Sequence, residues 1–290
     1  MFNRYVLASS YQRIRSKFDM ASLPEGEEYI PSYNIAPGNN AYVIIPGLNE
    51  SAEIHGMSPV IRAYYEERKP SKVIRSFSFG LQGVEKYTVN FIRAEGDRNL
   101  SNDPHYTGSK AIFLKPNYKK IIREQRCLVL ADAFIVDIDK KPHLVYMKNK
   151  KRPFGFAGLW NKTTDADGNE SYSFGILTTV ANPLIRKLGG DRMPVIVPEY
   201  SERRWLSTNN TLSQVLDMLN PYPAHSLNAY PVSERISDPV NNDLSVIQPV
   251  GRRLYSERME PLSRKRVKPV REPMDSPTME EVARMGKETN

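Results

Sequence analysis

The chain has 290 residues, 41 Lys and Arg against 33 Asp and Glu for a formal charge of +8, 40% apolar residues and one cysteine, Cys127. A single cysteine excludes an intramolecular disulfide and fits a reducing compartment. No apolar run approaches the ~20 residues of a membrane helix and no secretory h-region opens the chain, so a cytoplasmic protein without membrane partners is expected.

In chain order, the pattern predicts a helix over 11–19, with Ser9 and Ser10 as caps. A strand follows at Tyr42–Ile45. An amphipathic helix over 116–126 is expected to bury Ile121 and Ile122 and to leave Lys119, Lys120 and Arg123 in water. It leads into the clearest strand, 127–138, and a further strand covers Leu144–Met147. Asp167-Gly168 turns the chain between a strand ending at Trp160 and one starting near Tyr172. Short helices are expected over 198–206 and 212–219. From Arg252 to Arg271 eight Lys and Arg face two Glu, so 8 − 2 = 6 of the +8 lies there. This predicts a folded body at 1–251 close to neutral and a basic, proline-interrupted, disordered tail at 252–290.

Several blocks recur in a recognisable order. They are Tyr33-Asn34-Ile35-Ala36-Pro37, Phe79-Gly80-Leu81, Arg93-Ala94-Glu95, the run from Arg126 to Phe134, Phe156-Ala157-Gly158-Leu159-Trp160, Asn182-Pro183-Leu184, Asp191 to Ile196 and Pro231-Val232-Ser233. Together with the opening Asn3-Arg4-Tyr5 they resemble the SOS-response-associated peptidase (SRAP) family over roughly the first 250 residues. The resemblance implies one α+β domain of strongly curved mixed and antiparallel sheets with flanking helices. It also implies capture of abasic sites in single-stranded DNA: an N-terminal cysteine offers amine and thiol to the sugar aldehyde, while an asparagine, a glutamate and a histidine move protons. The peptidase activity of the family is the exposure of that cysteine.

Carried over by position, that set is absent here. The cysteine becomes Phe2, the asparagine Phe91, the glutamate Val136 and the histidine Gly190. Asn90 and Asp137 stand one residue out of phase, and one step along a strand turns a side chain to the other face. Phe2 is also too bulky for removal of Met1. The expected outcome is a sealed, apolar former site; stacking of an undamaged base is the alternative.

The arginines at family positions remain. The resemblance assigns Arg93 and Arg192 to the DNA backbone, and Arg4 keeps family register. Guanidinium forks suit phosphates, but each could equally hold a structural ion pair, with Glu95 and Asp191 as candidate partners. Asn90 and Glu95 are auxiliary candidates. Three functions follow: a DNA-binding pseudoenzyme of the DNA-damage response, an abasic-site enzyme using the Met1 amine, and a protein-interaction module without DNA. A monomer is expected. Cys127 reads as core, Trp160 as core, Asp132 and Glu95 as structural acceptors. The four histidines show no ligand spacing, so neither metal nor cofactor is expected.

Overall fold

Apolar strands, those at the centre buried on both faces, build two sheets packed on a shared core. The computed structural model describes residues 2–20, 23, 28–47, 72–148 and 151–257. In chain order the strands are β1 (Phe2–Leu7), β2 (Ser32–Ile35), β3 (Asn40–Pro46), β4 (Lys72–Phe79), β5 (Phe91–Arg93), β6 (Arg126–Ala131), β7 (Ala133–Ile138), β8 (Lys141–Met147), β9 (Phe154–Thr164), β10 (Glu170–Val180), β11 (Arg192–Pro194), β12 (Ile196–Val197) and β13 (Leu227–Pro231). The helices are α1 (Tyr11–Phe18), α2 (Pro116–Lys119), α3 (Ile121–Glu124), α4 (Pro183–Lys187), α5 (Glu202–Leu206) and α6 (Leu212–Leu216). The fold class is α+β.

One sheet runs β13-β8-β7-β1-β2, the other β11-β10-β4-β3-β6-β9-β12 with β5 alongside β10. Because β9 also pairs with β10 in a long hairpin, the strands β10, β4, β3, β6 and β9 close on themselves. Closure removes edges and forces strong curvature. The hairpin turn is set by Asp165, whose carboxylate accepts from the amides of Asp167 and Asn169 at 2.9 and 2.8 Å, and by Gly168 at φ 85°.

The strand expected over 127–138 is two strands in different sheets. Its break is Asp132, whose carboxylate accepts from the Ala8 amide (2.7 Å), the Ser9 amide (2.6 Å) and the Ser9 hydroxyl (2.6 Å). A buried carboxylate with three donors fixes the corner where the chain leaves the barrel for the other sheet. Of the two serines expected as caps, Ser10 caps α1 through the Arg13 amide at 3.4 Å, while Ser9 is spent on Asp132.

The helix expected over 116–126 is two single turns, α2 and α3, with Ile121 and Ile122 buried as expected. Arg126 ends it: buried at the start of β6, its guanidinium donates to the carbonyls of Ile122 (2.7 Å), Arg123, Trp205 (2.7 Å) and Ser207 (2.5 Å). One cation thereby satisfies the otherwise unpaired C-terminal carbonyls of α3 and α5. Burial lowers the Arg126 guanidinium to about 10. The helices expected over 198–206 and 212–219 shorten to a 3₁₀ turn with α5, and to α6, which carries a capping box between Thr211 and Gln214.

Leu254 and Tyr255, counted with the tail in the sequence, hydrogen bond to the β13 segment: the Leu254 amide donates to the Ala229 carbonyl at 2.7 Å and the Tyr255 amide to Asn228 Oδ1 at 3.1 Å. The rest of the expected tail, 258–290, lies outside the described residues.

Candidate functional site

Phe2 reaches the core through a break in the strand pattern. Its partner in β7 is Val136 and the partner of Arg4 is Ile135, with a register shift between them at Asn3. An extra residue in one strand reverses the alternation, so Phe2 and Tyr5 both face the main core although three positions apart. Phe2 is 2% exposed. Its ring meets Phe91 at 5.1 Å, Phe134 at 5.5 Å and Phe156 at 5.8 Å between centroids, the first two edge to face. Such geometry adds about 0.5–1.5 kcal/mol per pair beyond area burial.

Phe91 is brought there by β5, which runs parallel to β10 with Phe91 opposite Ile176, and it also meets Phe79 at 5.6 Å. Gly190 follows helix α4 in a Schellman cap: the Gly189 amide donates to the Arg186 carbonyl at 2.8 Å and the Gly190 amide to the Ile185 carbonyl at 2.9 Å. Gly189 supplies the left-handed residue at φ 84°, the position where glycine avoids strain. A Cβ on Gly190 would stand 2.8 Å from Ile185 Cγ2 and 3.5 Å from Val136 Cγ1. The four positions carried over from the resemblance therefore converge, and aliphatic and aromatic carbon fills the space between them.

The out-of-phase polar residues do not re-enter. Asp137 accepts from the Ser237 hydroxyl at 2.9 Å on the other side of β7. Asn90 directs its Oδ1 toward Gly80, where an added Cβ would lie 3.1 Å from it. Arg4 also faces the 234–238 turn: its Nη2 donates to the Ser237 carbonyl, while its buried Nε and Nη1 have no hydrogen-bond partner among the described residues. Burial lowers its pKa, with Asp137 and Asp238 pulling the other way. Arg4 is thus not joined to Arg93 and Arg192.

Those two arginines share a polar cluster at the end of β5. Arg192, buried on β11, donates from Nη2 to Glu95 Oε2 at 2.8 Å and to the Thr178 carbonyl at 2.8 Å, from Nε to Thr178 Oγ1 at 3.1 Å and from Nη1 to Asn102 Oδ1 at 3.2 Å. All three nitrogens are committed, which makes it the structural ion pair weighed in the sequence, with Glu95 and not the neighbouring Asp191 as partner. Glu95, fully buried, also accepts from Thr179 Oγ1 at 3.0 Å and has Lys110 Nζ 3.6 Å away. Burial would raise its pKa; the charge and hydrogen bond of Arg192, with Lys110, outweigh that and hold it below the ordinary value of 4.5.

Arg93 differs. It is partly exposed and commits Nη1 alone, to the Asn99 carbonyl at 3.1 Å and to Asn102 Oδ1. Among the described residues its Nε and Nη2 take no protein partner. Burial and the neighbouring Arg192 lower its pKa. Asn102, in the left-handed region at φ 57°, is the hub the sequence did not reveal: it accepts from both arginines and donates to Asp191 at 2.6 Å. Its backbone conformation suits asparagine, but nothing in its sequence surroundings marks the role.

Cys127 is buried in β6, where burial pushes its thiol up, and its carbonyl accepts from the indole of Trp205 at 2.8 Å. Trp160 is partly buried against the core. His143 lies in β8, and His105 and His225 lie outside the strands; His55 is outside the described residues. The body is more basic than expected: residues 272–290 hold five Asp and Glu against two Lys and Arg, so 1–251 carries 31 − 26 = +5. The acidic end of the chain offsets part of the basic run.

A single antiparallel and parallel barrel wrapped by a second sheet, with β1 inserted so that its first residues meet the β5 and β11 ends, defines the architecture. The model of the SOS response associated peptidase (SRAP) family matches residues 1–239, and the chain belongs to that family. It is 32% identical over 259 residues to the abasic site processing protein YoqW of Bacillus subtilis, covering 86% of this chain and 99% of that one. YoaM of the same organism, also named an abasic site processing protein, is 29% identical over 257 residues, 85% and 97% of the two chains. A crystal structure of a protein from Bacteroides thetaiotaomicron shares the fold at TM-score 0.57 and 18% identity, over 86% of this chain and 99% of that one.

Proposed function

We propose that this chain is a single-stranded DNA-binding member of the family that has lost covalent capture, working in the DNA-damage response as a monomer in the cytoplasm. The observation that carries this reading is the aromatic fill: Phe2 packs edge-on against Phe91 while Val136 and Gly190 close the remaining space. No thiol, carboxylate or imidazole stands at the four converging positions, so closure of a thiazolidine has no sulfur nucleophile and imine formation has no side-chain proton carrier there. Relatives named as abasic site processing proteins supply the link to damaged DNA.

Binding is assigned to Arg93. Among the described residues its Nε and Nη2 are unpaired, whereas Arg192 is committed to Glu95, Thr178 and Asn102. Phosphate recognition by a partly exposed guanidinium releases counterions and is salt-dependent. The test is a titration of labelled single-stranded oligonucleotide at several salt concentrations. Affinity that falls steeply with salt, and falls further in Arg93→Ala with an unchanged melting temperature, supports the reading. Equal affinity in Arg93→Ala and wild type removes it.

A further inference from the structure

Rings and cations alternate where β8 and β13 meet the segment that follows them. Tyr146 of β8 and Tyr230 of β13 lean together, centroids 5.6 Å apart. Arg253 lies over Tyr146 at 5.9 Å. Tyr255 is 38% exposed, with Lys187 Nζ at 4.8 Å and Lys148 Nζ at 5.7 Å from its ring centroid. Arg152 and Arg253 both act on the Tyr230 phenol, pulling against the burial that pushes it up. Arg13, exposed on α1, donates from Nε to the Arg152 carbonyl at 2.9 Å and adds another cation.

This corner is held in shape from below. Asn228, fully buried, grips the backbone of Tyr255 from both sides: its Oδ1 accepts from the Tyr255 amide at 3.1 Å and its Nδ2 donates to the Tyr255 carbonyl at 2.8 Å. The Leu254 amide adds a strand-like bond to Ala229. Among the described residues no carboxylate lies within ion-pair distance of Lys148, Arg152 or Lys187. Glu257 follows two residues after Tyr255.

The corner also continues toward the Arg93 rim. Lys187 and Arg186 are neighbours in α4, and Arg186 Nη1 comes within 3.5 Å of the Pro104 carbonyl. Pro104 belongs to the loop whose Asn99 and Asn102 hold Arg93. Beyond Tyr255 the sequence adds most of the basic run between Arg252 and Arg271. Cations set beside aromatic faces suit a flexible strand of alternating phosphates and bases. An anionic lipid surface would call instead for an apolar face beside the charges.

We infer that the Lys148–Arg152–Lys187–Tyr255 corner is a second contact surface for single-stranded DNA, engaging nucleotides of the same strand that Arg93 holds. It rests on the reading of Arg93 as a phosphate contact, and the experiment separates the two. The full chain is titrated with undamaged oligonucleotides of about 6 and about 24 nucleotides, as wild type, Arg93→Ala, the triple variant Lys148→Ala/Arg152→Ala/Lys187→Ala, and Tyr255→Ala. Removing one cation that neutralises a phosphate lowers the slope of log affinity against log salt by roughly 0.7 for single strands.

The triple variant is expected to show a slope shallower by roughly two units on the long oligonucleotide and to match wild type on the short one. Tyr255→Ala is expected to weaken long-strand binding several-fold at constant slope. Arg93→Ala is expected to weaken both lengths. Wild-type slope and affinity in the triple variant on the long strand, with Arg93→Ala still defective, overturns the second surface and leaves the Arg93 reading standing. Long-strand binding abolished in the triple variant but intact in Arg93→Ala upholds the corner as a DNA surface and sinks the Arg93 reading. Wild-type protein that ignores both oligonucleotides but binds phosphatidylserine vesicles through the corner overturns both.

Discussion

Phe2 and Phe91 touch edge to face at 5.1 Å between centroids, although 89 residues of sequence separate them, one in strand β1 and the other in strand β5. The contact joins a strand of each sheet across the shared core. Phe2→Ala is expected to cost about 3–5 kcal/mol, the range for removing a buried phenylalanine with incomplete collapse. Urea denaturation with an unchanged m-value checks it. A cost under about 1 kcal/mol would mean that Phe2 is not buried in solution.

Restoring one polar residue is not expected to restore chemistry. Phe2→Cys leaves Phe91, Val136 and Gly190 in place, and Gly190→His must push a Cβ against Ile185 at 2.8 Å. Overpacking of this kind costs about 1–3 kcal/mol. Gly190→His should lower the melting temperature, and a Gly190→Ala variant should do so to a smaller extent, read by thermal unfolding.

The buried pair of Arg192 and Glu95 predicts acid sensitivity. The folded protein holds Glu95 below its ordinary value of 4.5, so its contribution is fully present above that value and is lost as pH falls through the lowered one. Glu95→Gln removes that part of the acid dependence. Arg192→Ala, which strands a buried carboxylate, is expected to cost about 3–5 kcal/mol. Denaturant midpoints from neutral pH down to about pH 3 for the three proteins distinguish these outcomes.

Glu202 predicts a shift of opposite sign. Burial raises its pKa to about 7, against the pull of Lys17 and Lys72 and helped by Glu199. The folded state therefore holds this proton more tightly than the unfolded chain, and stability falls as pH rises from about 4.5 to about 7. The decrease is on the order of 3 kcal/mol, since one unit is about 1.4 kcal/mol. Glu202→Gln should flatten this dependence and raise the melting temperature at about pH 8; an unchanged melting temperature there would contradict it.

The Asp132 corner offers a further check. Its carboxylate satisfies three donors from Ala8 and Ser9, and hydrogen bonds to a charged acceptor contribute about 1.5–3 kcal/mol each when a partner is removed. Asp132→Ala is expected to cost at least about 3 kcal/mol, measured by the same denaturation.

Legibility in the sequence varies with the kind of interaction. Family blocks aligned Phe2, Phe91, Val136 and Gly190 with one site, and strand alternation put Asp137 on the wrong face, where it meets Ser237. The strands at Tyr42–Ile45 and Leu144–Met147 and the Asp167-Gly168 turn followed from local pattern. The bulge at Asn3 did not, because an inserted residue leaves no trace in composition. The single strand expected over 127–138 hid Asp132, whose partners lie 124 and 123 residues away. Arg126 and Asn102 were illegible for a related reason: Arg126 ties the end of α3 to the distant carbonyls of Trp205 and Ser207, and Asn102 joins Arg93 to Arg192 and Asp191, and no periodicity encodes such links. The three arginines looked alike in sequence, and only burial separates Arg192, saturated by its neighbours, from Arg93.

The most direct test incubates the purified protein with single-stranded DNA carrying one abasic site, with and without borohydride, and reads denaturing and native gels side by side. A DNA-binding protein with a filled capture site gives a shifted native band, weakened by salt and by Arg93→Ala, and no covalent band under either condition. A covalent band, trapped or spontaneous, would contradict this and would mean that the filled site is bypassed by another nucleophile.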